Sequence, residues 1–227
     1  MNKGRFSTRL GALTGMAIAM GGALSLHAQV FNIPIQNSDF SENFTTDTIG
    51  YDIPGNDVPG WSDAGVNAES GVTGTDLGVG GTLPYAFVAT GDAGAIQVTG
   101  HTIQDGSAYT LSWDAAGVNG ETSQSAYLFS VNPDFSGFTV LSSGNSAVTG
   151  TMSPFSLNYT AGAADAGKLL GVGFGPGSTV GGFAAYDNFT ANFVPVPEPA
   201  AWTFAGSLML AGFAGYRRVR SKARVTA

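Results

Sequence analysis

Short runs in which apolar and polar residues alternate recur along most of this chain of 227 residues. In the run 109–114, Tyr109, Leu111 and Trp113 alternate with a threonine, a serine and an aspartate. A period of two places the apolar side chains on one face of a β-strand. Alternation or β-rich composition predicts strands at 30–36, 85–90, 95–99, 108–115, 126–132, 138–142, 155–160, 169–174 and 183–194.

The same pattern argues against helices in the body of the chain. No window of helical length has apolar residues at helical spacing without intervening glycines, and glycine contributes 34 residues. The glycines have no triplet period, which excludes collagen. About nine short strands with turn residues between them predict one all-β domain at 29–194, an antiparallel β-sandwich or barrel. The polar, Gly-rich segment 41–82 is expected to form long loops with one or two strands.

Residues 1–28 have the organisation of a secretory signal peptide. Three basic residues lie within the first nine positions, and the uncharged apolar stretch 10–26 follows them. A basic segment followed by an apolar one is the order of an export signal. Small residues would permit cleavage after Ser25 or after Ala28, and the pattern does not choose between them.

A second uncharged apolar segment, 200–216, lies near the C-terminus. As a helix it would span roughly 25 Å, near the short limit for crossing a bilayer. Trp202 and Tyr216 lie near its ends, and Arg217 and Arg218 follow it. Because basic residues stay on the cytoplasmic side, we predict a transmembrane helix at 200–216, with 223–227 as the end of a cytoplasmic tail.

The segment 195–222 resembles the PEP-CTERM sorting signal of Gram-negative bacteria. Three features in order carry the resemblance: the triplet Pro197-Glu198-Pro199, the short apolar span, and the basic pair Arg217-Arg218. The resemblance implies that these five residues are recognised by an exosortase, a membrane protease-transpeptidase. It also implies a location at the cell surface or in extracellular polysaccharide. A plain C-terminal membrane anchor is the alternative.

Charge is distributed very unevenly along the chain. The net charge is −7, yet Lys168 is the only basic residue between Arg9 and Arg217, whereas all 16 acidic residues lie there. Such an acidic domain repels nucleic acid and anionic lipid, so we expect no nucleic-acid partner. The chain has no cysteine, which excludes disulfides, thiolate metal sites and cysteine nucleophiles.

The body also resembles the jelly-roll, galactose-binding-like domains of many surface proteins. The matching elements are Asn37-Ser38-Asp39-Phe40 near the start, Pro59-Gly60-Trp61 after a loop, and Tyr186-Asp187-Asn188-Phe189 in the last strand. The resemblance implies a jelly-roll β-sandwich. It also implies a structural Ca²⁺ near the first and last strands, because domains of this type often hold one there.

Asp187 is the most informative acidic residue in the pattern. In the run 183–194 it shares the parity of Phe183 and Phe189, so its carboxylate is expected to face the apolar side. A carboxylate there needs hydrogen bonds or a cation, and calcium prefers oxygen ligands. We predict Asp187 as a Ca²⁺ ligand, with Asp39 or Glu42 as partners. A carboxylate capped by backbone amides is the alternative.

Four aromatic residues are candidates for stacking on sugar rings: Trp61, Trp113, Tyr85 and Tyr127. Trp61 follows Pro59-Gly60 in a predicted loop, which makes it the first choice for a ligand-binding position. Trp113 alternates with polar residues and is expected in the core. Core packing is the alternative for Trp61 as well.

The sequence predicts no catalytic site. His101 is the only histidine beyond residue 28, so a multi-histidine metal site is excluded, and no Gly-x-Ser-x-Gly motif occurs. We expect a non-catalytic protein exported to the cell surface or extracellular matrix of a Gram-negative bacterium, whose sandwich binds extracellular polysaccharide. A purely structural or adhesive sandwich is one alternative. A secreted polysaccharide hydrolase with paired carboxylates is the other.

Overall fold

The computed structural model describes residues 29–42, 60–65, 70–178 and 180–196, together with 206, 207 and 209–213 near the C-terminus. Within these residues the chain forms eleven β-strands. They are β1 (Phe31–Ile33), β2 (Ser62–Asp63), β3 (Gly71–Thr73), β4 (Tyr85–Ala89), β5 (Ala95–Thr102), β6 (Ala108–Val118), β7 (Ser123–Val131), β8 (Thr139–Ala147), β9 (Ser153–Thr160), β10 (Leu169–Gly175) and β11 (Phe183–Val194).

The strands form two antiparallel sheets. The first sheet has the order β3-β4-β11-β6-β9, and β1 also pairs with β11. The second sheet has the order β2-β5-β10-β7-β8. Of the described strands, only β3 with β4 and β7 with β8 pair as neighbours in sequence, so the chain crosses repeatedly between the layers. The predicted all-β antiparallel sandwich is confirmed.

The period-two pattern produces the core between the sheets. In β6 the side chains of Tyr109, Leu111 and Trp113 are buried, with relative exposures of 1%, 0% and 2%. Full burial of a large apolar side chain contributes about 1.5–3 kcal/mol. The indole of Trp113 keeps its polar atom satisfied, because Nε1 donates to Gln124 Oε1 in β7 of the other sheet at 3.1 Å.

A cluster of aromatic rings fills the centre of the core. Trp61 and Phe174 have ring centroids 5.1 Å apart, and Phe174 and Phe189 have centroids 5.3 Å apart. Phe40 contacts Trp61 at 5.5 Å. These contacts join the segment after β1 and the segment before β2 to both sheets.

The strand boundaries differ from the predicted ones mainly in length. Strand β6 continues to Val118, and β8 runs from Thr139 to Ala147, beyond the predicted end at 142. Strand β8 is at the edge of its sheet and is largely Ser, Gly and Asn, so it lacks an apolar alternation that would mark it. Two short strands, β2 and β3, lie in the segment 41–82, as expected.

The predicted targeting segments lie largely outside the described residues. The signal peptide (1–28), the triplet Pro197-Glu198-Pro199 and the pair Arg217-Arg218 are not among them. Of the predicted helix 200–216, residues 206, 207 and 209–213 are described, and they are helical. No helix in the described part of the chain is long and apolar enough to span a membrane.

Candidate ligand-binding face

Three aromatic side chains lie side by side on the outer face of the second sheet. In β7, Ala126 and Leu128 point into the core, so Tyr127 and Phe129 point away from it. The ring centroid of Phe129 is 6.2 Å from that of Tyr127 and 4.6 Å from that of Phe138. We call Tyr127, Phe129 and Phe138 the aromatic platform.

Glycines in the neighbouring strand make room for two of these rings. Gly171 and Gly173 of β10 pair with Phe129 and Tyr127 of β7. A Cβ atom at Gly171 would lie 2.1 Å from the Phe129 ring, and a Cβ atom at Gly173 would lie 2.5 Å from the Tyr127 ring. Carbon atoms in contact are about 3.5–4.0 Å apart, so each ring occupies the space that a side chain would otherwise need.

The platform combines a buried base with an exposed surface. Phe129 is 0% exposed, whereas Phe138 is 51% exposed and its neighbour Val140 is 49% exposed. Tyr127 is partly exposed, and its hydroxyl has no hydrogen-bond partner among the described residues. Partial burial raises the pKa of this hydroxyl, so it stays protonated and can donate. An exposed apolar patch with polar neighbours is typical of a binding site.

Small uncharged polar groups border the platform. In β8, Ser143 pairs with Tyr127 and Asn145 pairs with Ser125, so these side chains lie on the platform's side of the sheet. Ser143 and Asn145 are exposed. Aromatic rings beside hydroxyl and amide groups suit a ligand that has apolar ring faces and many hydroxyl groups.

A buried carboxylate fixes the start of β7. Glu121, which is 4% exposed, accepts hydrogen bonds at Oε1 from the backbone amides of Thr122, Ser123 and Ser178, at 2.8, 2.9 and 3.1 Å. These bonds tie the start of β7 to the loop after β10. Glu121 therefore fixes the position at which β7, the strand of Tyr127 and Phe129, begins.

The outer face of the first sheet carries a pair of carboxylates. Asp187 in β11 and Asp114 in β6 are cross-strand partners. The side-chain amide of Asn188 donates to Asp114 Oδ2 at 2.9 Å and to Asp187 Oδ2 at 3.2 Å. The backbone amide of Asn188 donates to Asp187 Oδ1 at 2.8 Å. One residue thus supplies hydrogen bonds to both carboxylates.

The predicted orientation of Asp187 towards the core is wrong. A β-bulge between Asp187 and Thr190 shifts the register of β11 on β6 by one residue, and Asn188 adopts a left-handed φ of 55° there. Before the bulge Tyr186 faces the core, and after it Phe189 does. Asp187 lies on the outer face, because parity cannot be carried through a bulge.

Asp187 is nevertheless only 2% exposed. Val79 and Tyr85 pack with Ala185 in a second apolar cluster on this face, beneath the segment between β3 and β4. Burial raises the pKa of Asp187 to about 7, with smaller contributions in the same direction from the charges of Asp114 and Asp39. The group is therefore partly protonated near neutral pH.

The predicted calcium ligands are only partly brought together. Asp39 is close enough to raise the pKa of Asp187, but its Oδ1 accepts from Ser41 N at 3.2 Å and from Ser41 Oγ at 2.8 Å. Glu42 is exposed, and its backbone amide donates to Asn37 Oδ1 at 2.9 Å. The described residues hold no group of three or more acidic, histidine or cysteine side chains that could bind a metal. A calcium ion at Asp187 would need further oxygen ligands from backbone carbonyls or water.

Trp61 is not available for stacking on a ligand. Its side chain is 3% exposed, its Nε1 donates to Asn37 O at 3.1 Å, and its ring packs against Phe174. The prediction of a ligand-binding Trp61 is wrong, because the indole enters the core directly after the turn at Gly60. Trp113 and Tyr85 are also buried, at 2% and 0%, so Tyr127 is the partly exposed member of the four candidates.

The ring of His101 packs among aromatic side chains. Its ring centroid is 4.4 Å from that of Phe193, and its Nε2 is 3.3 Å from the Tyr109 hydroxyl. Burial lowers the pKa of His101, which favours the neutral form. These contacts pack the imidazole against aromatic residues of β6 and β11.

The sequence pattern does not mark Phe129 and Phe138 as binding residues. The signal that could have found this face is the glycine at every second position of 171–175. A glycine inside a strand often marks the close approach of another group to the backbone, and aromatic residues can cover such glycines. Tyr127 and Phe129, two residues apart in a predicted strand, complete that signal.

The fold is similar to those of several solved structures. The Stig cyclase FisC from Fischerella sp. TAU, in complex with (3Z)-3-(1-methyl-2-pyrrolidinylidene)-3H-indole, has a TM-score of 0.56 and 17% identity, over 74% of this chain and 100% of that one. A cyclase from Fischerella sp. TAU in complex with 4-(1H-indol-3-yl)butan-2-one has a TM-score of 0.58 and 17% identity, over 74% and 100%.

A third similar structure is the N-terminal CBM22-1-CBM22-2 tandem domain of Xyn10C from Paenibacillus barcinonensis. Its TM-score is 0.51 with 12% identity, over 77% of this chain and 49% of that one. At such identities the likeness shows the fold alone: an antiparallel β-sandwich shared by cyclases and carbohydrate-binding modules. No family model matches the sequence, and no curated protein is similar to it in sequence.

Proposed function

We propose that this protein is an exported, non-catalytic binding protein whose aromatic platform holds an extracellular polysaccharide. The observation that carries the proposal is the aromatic platform on the outer face, in which Phe138 is exposed and Tyr127 partly exposed above the buried Phe129 ring. The rings of Tyr127 and Phe129 lie over Gly173 and Gly171, and Ser143 and Asn145 border the platform. Such rings can pack on the apolar faces of sugars, while the hydroxyl and amide groups bond to sugar hydroxyls. The sandwich shared with the CBM22 tandem domain supports it.

The charge of the domain favours an uncharged polysaccharide. Lys168 is the only basic residue between Arg9 and Arg217, and it pairs with Asp165 at 3.2 Å. A surface with this excess of carboxylates raises the free energy of an approaching polyanion. A neutral glycan is held by stacking and hydrogen bonds and meets no such repulsion.

The binding proposal is tested by affinity electrophoresis of the full chain in gels that contain xylan, mixed-linkage β-glucan, galactomannan or polygalacturonate. We expect retardation by at least one neutral polymer and none by polygalacturonate. Equal mobility in all gels would contradict glycan binding and would favour a purely structural or adhesive sandwich.

A secreted polysaccharide hydrolase is the second candidate, because of the carboxylate pair. Asp114 and Asp187 lie within about 6 Å of each other, since oxygens of both accept from Asn188 Nδ2 at 2.9 and 3.2 Å. Glycosidases use carboxylates at separations of about 5–10 Å. Burial of Asp187 argues against access by a sugar chain. Release of reducing sugar from the same polysaccharides, abolished by Asp187→Asn, would favour this second function.

For the C-terminal segment we propose the PEP-CTERM sorting role, with an exosortase as partner and a final location at the cell surface or in the matrix. The ordered triplet, apolar span and basic pair support this role. Intact mass of the protein from its native host, with membrane fractionation, tests it. We expect a mass that lacks the signal peptide and the residues after about Pro199. A protein that retains 200–227 in the membrane fraction would instead be a plain anchored protein.

Within the sandwich class, the proposal extends to a jelly-roll, galactose-binding-like domain with a structural Ca²⁺ at Asp187. A desolvated carboxylate that interacts with Asp114 and Asp39 supports a cation there. Carboxylate oxygens are ligands that calcium prefers. The alternative is the capped state, in which the amides of Asn188 satisfy Asp187.

A further inference from the structure

The loop between β7 and β8 holds a phenylalanine in an unfavourable backbone conformation. Phe135 has a φ of 65°, in the left-handed region. Its backbone amide donates to Asn132 O at 2.8 Å, and Asn132 N donates to Ser136 O at 2.8 Å, which closes a short hairpin turn. In such turns the left-handed position normally belongs to glycine or asparagine, because a Cβ atom crowds the backbone there.

Packing does not explain why a large side chain occupies this position. Phe135 is 69% exposed, and its ring makes no aromatic contact with any described residue. Phe40 provides the contrast: its φ is 56°, but its ring is 1% exposed and belongs to the core. Burial compensates for strain at Phe40. At Phe135 the folded chain gains no comparable burial, and strain of this kind tends to persist where function requires it.

The turn presents the Phe135 ring on a fixed support. The side-chain amide of Asn132 donates to Ser136 Oγ at 3.1 Å, and Asp134 Oδ1 accepts from Ser136 N at 3.0 Å and from Ser136 Oγ at 2.6 Å. These bonds hold the three polar residues around Phe135 in one arrangement. A braced aromatic residue loses little conformational freedom on binding, which favours its use as a contact.

The loop continues the line of the aromatic platform. Tyr127 and Phe129 follow one another along β7, and Phe138, immediately before β8, stacks on Phe129. The line of rings therefore runs along the strand towards the turn that carries Phe135. A chain molecule lying on the platform in this direction reaches that turn next.

We propose that Phe135 is the terminal contact for an uncharged polysaccharide chain that lies along β7, from Tyr127 through Phe138 to the hairpin turn. The inference rests on the proposed function and adds the direction of the bound chain and the residue at its end. It also explains why phenylalanine occupies a position that suits glycine or asparagine.

Two variants of the full chain separate this role from a structural one. Phe135→Asn removes the ring and suits the left-handed backbone, so Tm should rise by about 2–4 °C while affinity for the retained neutral polysaccharide falls about tenfold. Phe135→Tyr keeps both the ring and the strain, and should match the wild type in Tm and affinity. The loss of affinity in Phe135→Asn should be smaller for the shortest oligosaccharide that the wild type binds than for the polysaccharide.

The outcomes distinguish this inference from the proposed function. If the wild type binds a neutral polysaccharide and Phe135→Asn binds it equally well, the inference is overturned and the platform keeps its function. If the wild type binds none of the polysaccharides, both are overturned. A fall in affinity together with a rise in Tm, with Phe135→Tyr unchanged, supports the inference.

Discussion

Asp187 and Asp114 lie directly opposite each other in β11 and β6, and the side-chain amide of Asn188 donates to both carboxylates. Like charges in this position destabilise a sheet. The bulge makes the arrangement possible, because its left-handed residue, Asn188, directs an amide between the two acids. Protonation of Asp187 relieves the remaining repulsion, which connects this pair to the stability of the sandwich.

Stability is expected to fall as the pH rises from about 4 to about 7 through the contribution of Asp187. The pKa of Asp187 is raised to about 7 in the folded protein, whereas an unfolded aspartate titrates near about 3.9. Between these values the folded state binds more protons, so the free energy of unfolding decreases with pH by at most about 1.4 kcal/mol per unit. Chemical denaturation at pH 5 and pH 8 measures the change.

Asp187→Asn is the control for that pH dependence. His101 acts in the opposite direction near its usual titration range, because its pKa is lowered in the folded state. The difference in unfolding free energy between wild type and Asp187→Asn isolates the carboxylate, and it should change most steeply between pH 5 and pH 7. If the unfolding free energies of the two proteins changed with pH in parallel, the raised pKa of Asp187 would be contradicted.

Calcium is expected to raise the Tm of the wild type and to leave Asp187→Ala unchanged. A cation bound to Asp187 would neutralise the carboxylate and its neighbours, and binding to the folded state alone raises stability. Differential scanning calorimetry with millimolar CaCl₂, MgCl₂ or a chelator provides the measurement. A wild-type Tm that is the same in calcium and in chelator would leave the Asn188-capped carboxylate as the correct description.

Trp61→Ala is expected to lower the free energy of unfolding by about 3–5 kcal/mol. The substitution leaves a cavity beside Phe40, Phe174 and Phe189 and removes the bond from Nε1 to Asn37 O. The control variant is Val180→Ala, at a position that is 91% exposed. It should change the free energy of unfolding by less than about 0.5 kcal/mol. If Trp61→Ala were as stable as Val180→Ala while glycan binding was lost, Trp61 would be a ligand-binding residue after all.

The sequence predicts the sandwich well because its strands carry the core on alternate residues. Trp113 and Leu111 follow this rule and are buried where the pattern places them. Asp187 does not, since a bulge is a local event that parity cannot reveal. Trp61 shows a different limit: a residue after Pro-Gly in a loop can still enter the core, because loops of a sandwich cover the ends of its sheets.

The platform was hidden for a related reason. Its rings lie on the outer face, where polar residues are expected, and two of them lie over glycines of β10, which have no side chain. Only the pairing of β10 with β7 shows that Gly171 lies under Phe129 and Gly173 under Tyr127. That pairing joins segments about 40 residues apart in sequence, so no local pattern contains it.

Gly171→Ala is expected to displace the Phe129 ring and to weaken polysaccharide binding. The new methyl group would meet the ring at 2.1 Å, so the ring must move off the sheet. Gly175→Ala in the same strand is the matched control, because the atom nearest to its Cβ would be Ala93 O at an ordinary 3.8 Å. Near-ultraviolet circular dichroism and affinity electrophoresis compare the two variants. Equal spectra and equal retardation by the polysaccharide in the two variants would contradict the position of the Phe129 ring over Gly171.

Polysaccharide binding by the aromatic platform can be measured by isothermal titration calorimetry on the wild type and on Tyr127→Ala. The titrant is the neutral polymer that retards the wild type in affinity electrophoresis. Tyr127 is partly exposed and its hydroxyl is free of described partners, so the variant should keep its fold by far-ultraviolet circular dichroism. If the platform binds the polymer, Tyr127→Ala should lose affinity by at least about tenfold. An unchanged affinity in a folded Tyr127→Ala protein would contradict it and would place glycan binding elsewhere on the sandwich.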